Sequence, residues 1–178
     1  MSDQTWPVAV SFSEVDRRDV TLDLVADAPV RAAVAKRLDL VSLSRFEAAV
    51  RLSAWLDGAV LEGRWQADLE QACVVTLDPV AVSLSGRFSV RLLPQGSPNT
   101  PQDEPDPVID PEADDPPDLV EGPTIPVGDY LVEHLALELD PFPRKPGAVF
   151  VPPEEPGLIT PFAVLKDLAA KKGSDKPG

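Results

Sequence analysis

Between residues 46 and 92 apolar side chains recur at every second position, and that period-two pattern constrains the fold more than any other feature. Phe46, Ala48, Val50, Leu52, Ala54 and Leu56 alternate with polar neighbours. Ala59, Leu61, Gly63, Trp65, Ala67 and Leu69 follow, opposite Val60, Glu62, Arg64, Gln66, Asp68 and Glu70. After a break at Asp78-Pro79, Val80, Val82, Leu84, Phe88, Val90 and Leu92 form a third row, with Ser83, Ser85, Arg87, Ser89 and Arg91 on the other side. A strand places alternate side chains on opposite faces, so each stretch predicts a long strand with one buried face. Three such strands in succession predict an antiparallel meander that a helix must cover.

Smaller signals fill in the rest. Val41 and Leu43 run in the odd register and Phe46 onward in the even one, so a bulge is expected near Ser44-Arg45. Asp57-Gly58 marks a hairpin turn, and Gly86 marks a kink in the third strand. Val8, Val10 and Phe12 predict a short strand, Glu14 to Arg18 a turn, and Val20, Leu22 and Leu24 a second strand. Asp27-Ala28-Pro29 opens a helix carrying Val30, Val34 and Leu38 on one face and Lys36 and Arg37 in its last turn. A further helix begins near Ile125-Pro126-Val127, capped by Thr124, with Val127, Tyr130, Leu131, His134 and Leu135 on its apolar face. Asp140-Pro141-Phe142-Pro143 stops it, since proline lacks the amide a helix needs.

Charge is unevenly placed. The chain carries 30 acids against 16 Lys and Arg, a formal charge of −14. Residues 94–124 hold nine prolines and nine acids with no Lys or Arg, and only Val108, Ile109, Leu119 and Val120 as larger aliphatics. Such a segment buries too little apolar area to offset its ordering entropy and is predicted disordered or extended, a solvated spacer. The expected organisation is one α+β domain over residues 1–172, an antiparallel sheet covered by two helices. The acidic insert at 94–124 interrupts it and a loose tail follows at 173–178.

Composition also limits function. One Cys excludes an internal disulfide framework or a Cys-based metal site. No apolar run reaches the ~20 residues that span a bilayer, and Met1-Ser2-Asp3-Gln4 lacks a basic signal-peptide start, so a cytoplasmic protein with no membrane partner is expected. The acidity disfavours a general nucleic-acid coat and favours basic partners, or simply serves solubility. His134 is the only His and lies on an apolar helix face, so it reads as a core or boundary residue. Cys73 reads as a packed thiol, with no CxxC and no basic cluster beside it. Nucleotide-binding and hydrolase motifs are missing, so no enzyme, catalytic residue or cofactor is predicted. Arg45, Arg51, Arg64, Arg87 and Arg91 read as scattered among acids.

One resemblance reaches particular residues. Cys73-Val74-Val75-Thr76-Leu77-Asp78-Pro79-Val80, then Ile125 to Pro143 (IPVGDYLVEHLALELDPFP), then Pro161 to Leu168 (PFAVLKDL) fall in an order that resembles the family of large ribosomal RNA subunit accumulation proteins, YceD. The resemblance spans roughly residues 40–170. It implies a non-catalytic role in accumulation or maturation of the large-subunit (23S) ribosomal RNA in bacteria and chloroplasts. In many members a second Cys follows the first three positions later, with further Cys near the C-terminal end. Here that position is Thr76 and no other Cys exists, so no metal site carries over.

The acidic balance suits a partner such as a ribosomal protein or a pre-ribosomal particle of the large subunit, with RNA associated indirectly. Phe162, Leu165 and Leu168 form a short stripe that needs a surface to fold on, either the protein's own sheet or a partner, and Arg144 and Lys145 are the accompanying basic candidates. Two other readings compete. One is a direct RNA binder using Arg17, Arg18, Lys36, Arg37, Arg144 and Lys145; the other is an enzyme with an unrecognised site.

Overall fold

The computed structural model describes residues 5–100 and 115–150. The elements run β1 (Val10–Ser11), α1 (Phe12–Val15), β2 (Val20–Val25), α2 (Ala28–Arg37), β3 (Ser42–Trp55), β4 (Gly58–Ala72), β5 (Pro79–Pro94), β6 (Asp118–Val120), β7 (Thr124–Ile125) and α3 (Val127–Leu137). Strands β2-β3-β4-β5-β6 form one five-stranded sheet in that order, and β1 pairs with β7 in a second small sheet. Every pairing in the large sheet is antiparallel except β5 with β6. The architecture is the expected α+β meander. The described residues up to Ala148 belong to one compact unit, and Val149 opens another.

The period-two rows face the core, except that Ala54 and Leu56 are exposed at the hairpin and Val80, Val82 and Leu84 are half-buried. Phe46, Leu52, Leu61, Trp65, Leu69 and Leu92 are all inaccessible or nearly so. Helix α2 packs on β3, and α3 packs on β4 and β5. Val34 of α2 and Val127, Leu131, Val132 and Leu135 of α3 join the same core. Trp6 closes it from the N-terminal side, its ring 4.9 Å from that of Phe46, which meets Trp65 edge-on at 6.3 Å. Asp27 caps α2 by accepting the Val30 amide at 2.9 Å, the exchange expected of an acid before Ala-Pro.

The expected bulge is present, as a register shift between Leu43 and Arg45. The hairpin differs by one residue. Trp55 pairs with Gly58, so Leu56 and Asp57 make the turn and Leu56 itself takes the left-handed conformation, at φ 52°. Gly58 serves close packing instead, because a Cβ there would run into the Leu92 carbonyl. Gly86 makes no kink either; it pairs regularly with Trp65 and leaves room for the indole lying on it.

Local signals were overridden at three other places. Only Val10–Ser11 of the first expected strand pairs, since the Ser11 hydroxyl accepts the Glu14 amide and turns Phe12–Val15 into a helical turn. Thr124 does not cap α3; it pairs with Ser11 in β7, and Pro126 stands at the helix start without a side-chain cap. The ends of the acidic segment are ordered. Pro94 completes β5, Asp118–Val120 adds a parallel strand with Val120 6% exposed, and Ser97 and Asn99 both bond the Asp57 carboxylate at 2.8 Å. Residues 101–114, the stripe of Phe162, Leu165 and Leu168, and the tail at 173–178 lie outside the described residues.

Candidate functional site

The connection from β4 to β5 and the chain leaving α3 fold onto one another. The side-chain amide of Gln71 donates to the Asp140 carbonyl at 2.9 Å, and the Val74 amide donates to the Pro143 carbonyl at 2.9 Å. The Lys145 amide donates to Cys73 Sγ at 3.4 Å, while Lys145 Nζ reaches Asp78 at 3.0 Å. The Cys73 loop closes on itself as well, its amide on the Asp78 carbonyl at 2.8 Å and its carbonyl under the Leu77 amide at 2.9 Å. Two blocks far apart in sequence thus make one junction.

The junction sets its own electrostatics. Cys73 is fully buried, as a packed thiol should be, yet it is also an acceptor. The Lys145 amide, then the Thr76 hydroxyl, stabilise the thiolate against the cost of burial, and the group is pulled down to about 6. No basic cluster is involved: the first of these donors is a backbone amide from a segment 72 residues away, and the others are local. Asp78 is held below the usual carboxylate range by Lys145 and Thr76. Around this polar floor, Val74, Leu77 and Phe142 stand exposed, Leu77 at 77% and Phe142 at 70%. Leu77 holds a left-handed backbone at φ 63°, a conformation costly for a branched side chain.

Of the six basic residues in the competing RNA reading, only Arg144 and Lys145 share this junction. Arg18 pairs with Glu14 at 2.6 Å beside α1, and Arg37 lies 3.8 Å from Asp129 between α2 and α3. The strand arginines, in contrast, are gathered by the fold. Arg45, Arg51, Arg64, Arg87 and Arg91 all project from the face of the sheet opposite the core, because each occupies the polar parity of its strand. Arg45 is met by Glu47 at 2.8 Å and Asp68 at 3.8 Å, and Arg51 by Asp19 at 2.6 Å. Arg91 donates to the Asp115 carbonyl and lies 5.5 Å over the Trp55 ring. The parity was legible in the sequence; the lateral grouping needed the register.

His134 takes the boundary position expected of it, stacked on Phe88 at 4.0 Å, and burial pushes its pKa down. Next to it, Tyr130 donates to Asp118 at 3.2 Å, tying α3 to β6. Among the described residues, no three His, Cys, Asp or Glu converge on a metal position, and no helix is long and apolar enough to cross a membrane.

The fold and junction define an α+β sheet domain with a thiol-centred contact between two loops and one open sheet face. The model of the family "Large ribosomal RNA subunit accumulation protein YceD" matches residues 61–169, most of the chain, and the chain belongs to that family. No curated protein and no solved structure matches it. The family is one of large-subunit ribosomal RNA accumulation, not a known enzyme family.

Proposed function

We propose that this protein is a non-enzymatic ribosome-biogenesis factor of the cytoplasm. It supports accumulation and maturation of 23S ribosomal RNA by binding a ribosomal protein or a pre-ribosomal particle of the large subunit. The observation that carries this reading is that the matched region contains both halves of the Cys73 junction, which presents Leu77 and Phe142 beside Arg144 and Lys145. Exposed apolar anchors ringed by charge are the usual make-up of a docking surface. Holding them on a loop pinned at several points lowers the ordering cost of binding.

Sedimentation of cell extract on a gradient tests the reading. The wild-type chain should travel with large-subunit precursors, and the association should survive nuclease if the contact is to protein. A Leu77→Ser, Phe142→Ser double variant should stay at the top of the gradient with an unchanged unfolding midpoint, since both side chains are exposed. Wild-type protein that never leaves the top would refute the proposal.

A further inference from the structure

Arg64 of β4 and Arg87 of β5 are direct cross-strand neighbours on the open face of the sheet. Side chains opposed in this way stand about 5 Å apart at Cβ, and like charges there repel. Among the described residues neither guanidinium makes an ion pair or side-chain hydrogen bond, although the other strand arginines have partners. The pair borders a depression of about 340 Å³, also lined by Ala49, Arg51 and Glu62. Three cations and one acid line it; Arg51 already holds Asp19, and Asp23 and Glu47 share the adjoining depression with Arg64 without pairing to it. Strand β5 itself contains no Asp or Glu.

Further along the same face, Trp55 lies beneath Arg91 near the β3–β4 turn. An aromatic plane next to a track of arginines matches what single-stranded RNA requires: a surface for a base and charges for consecutive phosphates. An acidic peptide would use the arginines but leave the aromatic unexplained. We infer that the open face of the sheet, from Trp55 through Arg87 and Arg64, binds a short single-stranded stretch of RNA. The inference deepens the proposed function and rests on it. It moves the RNA contact away from Arg17, Arg18, Lys36 and Arg37, and away from the Cys73 junction.

The test is fluorescence anisotropy of the full chain with a short labelled oligouridine strand at several salt concentrations. Wild-type affinity should fall as salt rises. The Arg64→Gln, Arg87→Gln double variant should bind about tenfold or more weakly, with a log–log salt slope shallower by about 1.4, since each single-strand phosphate contact contributes ~0.7. Its unfolding midpoint should hold or rise, because a repulsive pair has been removed. Trp55→Ala should weaken binding at every salt concentration without altering the slope, and Arg17→Gln, Arg18→Gln should change nothing. A folded double variant that binds as wild type overturns the inference, as does polyglutamate displacing the strand at equal charge concentration. A wild-type protein that sediments with precursors yet binds no oligouridine overturns it while leaving the proposed function standing. Failure of both measurements removes the proposed function as well.

Discussion

The backbone amide of Lys145 donates to the sulfur of Cys73, 3.4 Å away and 72 residues distant in sequence. That bond joins the β4–β5 connection to the segment after α3 and makes the thiol an electrostatic member of the fold.

A pH dependence follows from it. The thiol is lowered from an ordinary value of 9.0 to about 6 in the folded chain. A group depressed by folding adds stability above its unfolded pKa and loses it as pH falls through the folded one. The unfolding midpoint of wild type should therefore exceed that of Cys73→Ala by a margin that grows from about pH 6 to about pH 9. A margin constant across that range would show that Cys73 stays a neutral thiol.

Leu77→Gly separates folding from docking. Glycine enters the left-handed region at no steric cost, and the lost side chain is exposed, so stability should rise by about 1 kcal/mol. Association with large-subunit precursors should weaken in the same variant. A destabilised Leu77→Gly protein would place that side chain in the fold's own packing.

Glycines in β4 and β5 should rank by what their missing Cβ would meet. Gly86→Ala presses on the Trp65 ring, a side chain with limited room to shift, and should cost about 1–3 kcal/mol in urea denaturation. Gly58→Ala meets the Leu92 backbone and should cost more. Equal, small effects would mean that the hairpin and the β4–β5 contact adjust freely.

How far the sequence foretold this molecule depends on the range of each signal. The rows from Phe46 to Leu92, the bulge near Ser44 and the Asp27 cap were legible because periodicity and capping act over a few residues. The turn was misplaced because a Leu occupies the left-handed position that a reader assigns to Gly. Strand β6 left no trace, since Asp118–Val120 is too short for a period and its parallel partner lies across a long connection. The Lys145 donor to Cys73 and the Arg64–Arg87 pairing exist only once register and loop docking are known.

The ordered ends of the acidic segment carry their own expectation. Val120 is buried, so Val120→Ala removes two carbons from the core at ~0.8 kcal/mol each and should cost about 1.6 kcal/mol. Replacing all of residues 94–124 with a Gly/Ser linker should cost more, because the Ser97 and Asn99 bonds to Asp57 and the β6 ladder go too. An unchanged midpoint would mean that these contacts contribute nothing to folding.

The ratio of 23S to 16S ribosomal RNA in cells depleted of this chain tests the central claim most directly. The ratio should fall on depletion and recover when wild type is resupplied, but not when the Leu77→Ser, Phe142→Ser protein is supplied at equal abundance. A ratio that stays constant through depletion would contradict the role in large-subunit RNA accumulation.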